Sequence, residues 1–349
     1  MKIKSLLVIF TIFSMTTNAQ NLDETLSKLS STAGKAYVAP VITAFGSNLN
    51  SGWVSALPSP TKFGFHIDVK VVAMGSLFSN ESKTFSTTGN FYFTSSQADQ
   101  ILQNSGLSVS NPLYNTIKNN LTSTEQSVNF SGPTIAGSKS EYLKIIFPGK
   151  NVQGVNLATT TFLLKEVTGL LDEIPIFPTV SPQLTVGTFM GTNVSFRYLP
   201  DVDLKDLGKF TFFGVGAIHN IGALFPNPLP VDFGIGYFTQ KMKVGDILES
   251  SASQFGLYVS KTFGIIISFT PYAGIISEQS KTTVTYDYQS NQTINGVPVQ
   301  PVKINFELEG ENKTGVVVGF KVHLAAVNIN ADYKMSKTKT ASVGLSLGL

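Results

Sequence analysis

Arg197 is the only arginine of the chain, and Tyr198-Leu199-Pro200-Asp201 and Asp203 follow it. A planar, permanently charged fork beside carboxylates suits a bidentate pair, so the spacing predicts a strand-end ion pair holding a turn, ahead of ligand binding. His66, Asp68 and Lys70 stand two residues apart, as do Lys321 and His323, and Asp332 and Lys334. On a strand, that period puts each set on one face. The three histidines, His66, His219 and His323, fall in separate segments without paired ligand spacing, so no metal and no cofactor is expected. His219-Asn220 could be part of a Ser-His-Asn hydrolytic arrangement, but no serine can be matched to it, and the chain is read as no enzyme. Gly214-Val215-Gly216 and Gly234-Ile235-Gly236 do not complete G-x-G-x-x-G and lie inside strand patterns. They read as small residues on a crowded face.

The background of these residues is apolar. Only 13% of the 349 residues are charged and 42% are hydrophobic, with a net charge of +3; an ordinary soluble domain carries about 25% charge. Nucleic acid, which demands basic charge, is not an expected partner. There is no cysteine, which removes disulfides and thiolate chemistry. Lys2 and Lys4, the apolar run Leu6 to Phe13 and the small stretch Thr16-Thr17-Asn18-Ala19 have the order of a secretory signal over residues 1–19. Its apolar run is short of the ~20 residues that span a bilayer, and no longer run follows. An exported, apolar chain without such helices is either a secreted β-protein or an outer-membrane barrel.

The elements that position the charges have two periods. Leu22, Leu26, Leu29, Ala33 and Ala36 recur at helical spacing, with Asn21 and Glu24 as a capping box, so residues 21 to about 38 are predicted as a helix that Pro40 interrupts. Gly46 to Gly52 reads as a loop. The segment 20–52 is expected to start on the periplasmic side and to act as plug or periplasmic cap, with Leu22, Leu26, Leu29 and Trp53 as plug candidates. From Phe63 the period becomes two: Phe63, Phe65, Ile67, Val69 and Val71 alternate with Gly64, His66, Asp68 and Lys70. The pattern returns near 184 and recurs at 231–237, 254–260, 316–324 and 327–334. Residues 53–349 therefore read as an all-β, transmembrane antiparallel barrel of about ten to fourteen strands, twelve to fourteen preferred, with a loop-rich insertion at about 77–181. Turns are expected at Leu199-Pro200-Asp201 and Asn227 to Pro230. A charge facing lipid costs roughly 2–4 kcal/mol at the bilayer midplane, which makes His66, Asp68, Lys70, Arg197, Lys321, His323 and Asp332 lumen-facing candidates. Phe63, Tyr198, Phe210, Tyr237, Tyr272 and Tyr333 are placed in interfacial girdles.

The last residues, Ser342-Val343-Gly344-Leu345-Ser346-Leu347-Gly348-Leu349, resemble the C-terminal assembly signal of outer-membrane barrels, with Ser342, Gly344, Leu347 and Leu349 as its marks and Leu in place of the usual Phe. Further stretches, Asn48 to Trp53, Phe63-Gly64-Phe65 leading to Asp68, Arg197 to Pro200, Gly214-Val215-Gly216 with His219, Leu229 to Asp232 and Gln240 to Asp246, resemble an uncharacterised family of Gram-negative outer-membrane proteins. That resemblance implies an outer-membrane location, membrane lipid and the barrel assembly machinery as partners, and no activity. The helix ahead of the first strand and the overall length are more distantly similar to outer-membrane long-chain fatty-acid transporters. The expected function is passive transport of a small hydrophobic ligand through a helix-plugged barrel; the alternative is a non-enzymatic outer-membrane scaffold or assembly component.

Overall fold

The computed structural model describes residues 29–61, 63–203, 208–288, 293–294, 297–298 and 300–348. The expected signal segment, Leu22, Leu26 and Leu349 lie outside them. Helix α1 (Ser31–Leu49) is followed by β1 (Phe63–Leu77). Next come β2 (Thr84–Phe91), α2 (Ser95–Asn104), α3 (Tyr114–Ser123), β3 (Gln126–Pro133), β4 (Leu143–Phe147), β5 (Lys150–Val152), β6 (Val155–Leu157) and β7 (Thr160–Leu164). The period-two segments then run as β8 (Ile176–Phe189), β9 (Thr192–Asp203), β10 (Lys209–Asn220), β11 (Asp232–Val244), β12 (Leu248–Ser260) and β13 (Ile267–Tyr288). Two short strands, β14 (Thr293–Ile294) and β15 (Val297–Pro298), precede β16 (Val302–Glu309), β17 (Thr314–Leu324), β18 (Val327–Met335) and β19 (Thr340–Gly348).

Ten of these strands close into one antiparallel ring in the order β1-β8-β9-β10-β11-β12-β13-β17-β18-β19, with β19 returning to pair with β1 from Asp68↔Gly348 to Ser76↔Thr340. Ten lies within the expected range, but the preference for twelve to fourteen overcounted. The strands of the insertion pair among themselves as β2-β3-β4-β7 rather than entering the ring, and β13 is a single strand of 22 residues whose outer half carries β16 as an extra neighbour. Residues 78–175 thus form a small sheet with two helices, more ordered than a loop-rich insertion. The turn expected at Leu199-Pro200-Asp201 is strand instead. Phe212 pairs with Leu199 and Phe210 with Val202, so Pro200 and Asp201 together face the single Thr211 in a bulge, where a proline needs no ladder donor.

The helix departs from expectation too. It runs unbroken from Ser31 through Pro40 and Gly46. An interior proline costs about 3 kcal/mol and a glycine about 1. Burial of Tyr37, Val38, Ile42, Phe45 and Leu49, at about 1.5–3 kcal/mol for each large side chain, outweighs both. The chain from Leu29 through the first half of α1 to Ile42 shares a core with Phe91, Phe93, Ile101 and Phe130 of the insertion and with Tyr286 and Phe306 of the barrel extension. α1 therefore starts at the insertion end of the barrel, opposite the end where β1 begins, and not at the end expected from its place before the first strand. An element's order in the chain does not set the end from which it enters; its apolar stripe goes where a matching core exists.

On β11 to β13 the outer surface has a sharp boundary. Along β11 and β12 the outward pairs are Phe233↔Val259, Ile235↔Leu257 and Tyr237↔Phe255, then Thr239↔Ser253, Lys241↔Ser251 and Lys243↔Glu249. On β13 the change from Ile275 to Ser277 and Gln279 falls at the same height. Phe65, Val69 and Val71 on β1 and Val343, Leu345 and Leu347 on β19 extend the exposed apolar band around the ring. On β11 to β13 it occupies the half of the barrel nearer the two-residue turns Met190-Gly191 and Ala325-Ala326, whereas on β1, β8 and β18 exposed Leu77, Ile176 and Met335 carry it on to the opposite end.

Candidate functional site: the occupied lumen

Period two puts alternate residues of each strand inside, and the polar ones lie there. After α1 the chain does not leave the barrel. Residues 47–61 pass along its axis, and their contacts descend the wall in order. Asn48 Oδ1 accepts from Ser76 Oγ (2.7 Å) and its amide donates to the Phe177 carbonyl (2.7 Å). Lys70 Nζ donates to the Gly52 carbonyl (2.8 Å), Asn220 Nδ2 to the Pro58 carbonyl (2.7 Å), and Gly191 N to the Thr61 carbonyl (3.1 Å).

The chemistry of this contact follows from the helix end. The last carbonyls of a helix lack intrahelical partners and carry partial negative charge, and three buried cations converge on them and on the chain just beyond. Lys334 donates to the Ser47 carbonyl (2.9 Å) while forming an ion pair with Glu278 (2.7 Å). Arg197, fully buried, donates to the Ser51 carbonyl (2.9 Å) and the Leu49 carbonyl (3.4 Å), and Gln240 donates to the same Leu49 oxygen. The Arg197 guanidinium also lies 3.9 Å from the centroid of the Trp53 ring, which stacks on Phe238 at 5.0 Å. A Cβ at Gly214 would come within 3.0 Å of Trp53, so this small inward residue makes room for the indole. Gly52 takes φ +68°, and a Cβ there would meet Val72 Cγ2 at 2.6 Å; only glycine allows the bend that turns the chain down the lumen.

The residues singled out in the sequence are distributed as follows. Asp68, Lys70, Arg197 and Asp332 are buried on the inward face; His66, Lys321 and His323 share that face, half-buried toward the turn end. Asp68 accepts from Ser346 Oγ (2.7 Å), and the Tyr272 hydroxyl lies 3.0 Å from both Asp332 and the Val54 carbonyl. Arg197 holds no turn: it sits mid-strand on β9, inward of the bulge, and none of the ion pairs among the described residues includes it. Tyr272 and Phe210 face inward, so neither belongs to a girdle, whereas Tyr198 and Tyr237 are exposed. Leu29 is buried against the insertion rather than in the lumen, where Trp53 lies. Ser342 is buried inward and Leu347 exposed outward on β19. His219 and Asn220 point to opposite faces, the first toward Thr192 (3.0 Å) and the second toward Pro58, so they form no joint site. Sequence reasoning missed Glu278, Gln183, Gln240 and Asn48. The first three share inward parity with buried neighbours, a readable signal; Asn48 was assigned to a loop.

Little room remains beside Trp53. The gap beside the segment, lined by Trp53, Tyr258, Tyr272 and Asp332 among others, is about 20 Å³, about the space of one water molecule. Eight strands close around their own side chains and sixteen leave a channel; ten leave space for one further strand of chain.

An even-numbered, closed antiparallel barrel with its two-residue turns at one end, its two longest excursions at the other, an apolar outer band and a polar interior belongs to the outer-membrane class of barrels. Over residues 1–349 the chain matches the family described as "Family of unknown function (DUF6588)", and it belongs to that family. No curated protein matches it. Among solved structures it is similar to a loop-deletion form of OmpT, an outer-membrane protein of Vibrio cholerae (8% identity, 82% of this chain and 98% of that one, TM-score 0.23). It is also similar to the transport unit of the autotransporter AIDA-I from Escherichia coli (8%, 88% and 97%, TM-score 0.25) and to the translocator domain of NalP from Neisseria meningitidis (9%, 88% and 92%, TM-score 0.23). Likeness at that level carries no argument here; the barrel is read from this chain's own pairing.

Proposed function

We propose that the protein is an outer-membrane barrel sealed by its own chain, which anchors the 78–175 subdomain at the membrane surface as a scaffold rather than conducting a solute. The observation that carries this reading is the lumen filled by residues 47–61, whose carbonyls are held by Arg197, Lys70 and Lys334. The exposed apolar band supports membrane insertion, because a continuous belt of this kind far exceeds the few hundred Å² of apolar patch that soluble monomers tolerate. Signal-led export and assembly through the C-terminal strand belong to the same reading. Passage of a small hydrophobic molecule, the expectation from the sequence, would require the segment to leave and would present a polar, charged wall to an apolar cargo. Planar bilayers test the choice. The purified protein should insert without steady conductance, and deletion of residues 20–58 should open a pore. Steady conductance of the intact protein would overturn the sealed-anchor reading in favour of transport.

A further inference from the structure

The course of residues 29–61 has a topological consequence. Leu29 and Tyr37 are fixed at the insertion end: the Leu29 carbonyl accepts from the Tyr286 hydroxyl (3.0 Å), and the Tyr37 carbonyl from Ile135 N (3.0 Å). Thr61 is fixed at the turn end by Gly191. Between them the contacts with β1 fall from Ser76 to Lys70, opposite to the direction in which β1 itself runs. The chain therefore crosses the whole lumen before its first barrel strand begins. Twelve residues, 50–61, can span up to about 40 Å when extended, enough for the crossing.

Which side of the membrane each end faces follows from the outer surface and the connections. On β11 to β13 the apolar band lies in the half nearer the two-residue turns and the other half has polar and charged outward residues, whereas on β1, β8 and β18 exposed Leu77, Ile176 and Met335 carry the band to the insertion end; that end bears the two longest excursions, residues 78–175 and 289–313. In outer-membrane barrels the short turns face the periplasm and the long connections the exterior. We infer that the protein holds the start of α1 on the outer surface, beside the insertion, and that residues 47–61 run inward through the barrel, so that the segment ahead of the first strand is displayed outside rather than retained in the periplasm. The inference rests on the outer-membrane reading of the barrel. It makes α1 a strap between two compartments: its first half completes the core of the surface subdomain, and its last turn is clamped by the lumen cations. Removing the strap would therefore unseat the subdomain as well as open the lumen.

The absence of cysteine makes the test clean. Three single-cysteine variants are suited to it: Thr32→Cys at the exposed start of α1, Ser86→Cys on the exposed face of β2, and Asn227→Cys in the exposed β10–β11 turn. Each is treated with a membrane-impermeant maleimide, first on intact cells and then after lysis. Thr32→Cys and Ser86→Cys should label on intact cells, and Asn227→Cys only after lysis. Labelling of Ser86→Cys on intact cells with Thr32→Cys reactive only after lysis would overturn the inference while leaving the membrane barrel standing. Labelling of Asn227→Cys alone on intact cells would reverse the barrel and overturn it as well. Recovery of the variants in the soluble fraction would instead refute the outer-membrane reading on which it rests. Failure of Thr32→Cys to react even in detergent, with the other two reactive, would show α1 covered and no part of the displayed surface.

Discussion

Replacing Arg197 with methionine removes the guanidinium while keeping an unbranched chain of similar reach. Five contacts go: donations to the Ser51 carbonyl at 2.9 Å, the Leu49 carbonyl at 3.4 Å, Gln183 Oε1 at 3.1 Å and, weakly, Met74 Sδ at 3.9 Å, and the stacking on Trp53 at 3.9 Å. The Leu49 oxygen keeps Gln240 as donor, so Ser51 bears the main loss. A buried hydrogen bond to a charged group contributes about 1.5–3 kcal/mol, and a desolvated cation–π contact about 2. Relief of the buried charge's own desolvation offsets part of that sum. A net weakening of about 3 kcal/mol at the segment is roughly a hundredfold in the docking equilibrium. Hydrogen exchange followed by mass spectrometry in lipid nanodiscs reads it directly. Peptides covering 47–58 should lose roughly a hundredfold in amide protection while those of β10 to β12 keep theirs, because local opening is reported separately from global unfolding. Arg197→Lys, which retains charge but not the fork, should fall between. A change at 47–58 no larger than that in the barrel strands would refute the view that Arg197 clamps the segment.

Four shorter expectations follow from the same structure. Gly52→Ala places a Cβ against Val72 at a positive φ, and should loosen residues 50–58 in the same exchange assay without altering barrel insertion. Breaking the buried Lys334–Glu278 pair by Lys334→Met alone should cost about 3–5 kcal/mol in urea unfolding, and the double change Lys334→Met with Glu278→Met should cost less than the single one. Leu345→Arg, on the outward face of β19, should lower barrel stability by about 2–4 kcal/mol in vesicle refolding, whereas Ser86→Arg on the insertion should leave it unchanged. The hydrogen bond from Lys118 (2.7 Å) holds the Asp99 carboxyl below its ordinary value of 3.8, so its contribution to the α2–α3 contact is complete above that value and is lost as pH falls through the lowered one. Exchange in the insertion of wild type should therefore rise on acidification below pH 4 relative to Asp99→Asn; parallel profiles would remove the contact from the acid response.

Alternation at period two is a property of the chain itself, because successive side chains on a strand must point to opposite faces. It was enough to read Phe65, Val69 and Val71 apart from Asp68 and Lys70, to find the recurring strands and to assign the class of fold. The two glycine pairs could likewise be read as small residues on a crowded face, and Gly214 is where Trp53 came to rest. What the pattern could not carry was any quantity set by contacts between distant segments. Whether an alternating stretch joins the ring depends on its partner: β2, β3 and β4 alternate well, yet pair with one another around the core that α1 completes. The helix length was hidden for the same reason, since local propensity opposes Pro40, Gly46 and Asn48, and only burial and the bonds to Ser76 and Phe177 repay them. Arg197 showed its need for a bidentate acceptor in the sequence, but its acceptors are carbonyls from residues 146 and 148 positions away, brought there by barrel closure. Periodicity fixes which face a side chain takes; only the closed ring decides what stands across from it.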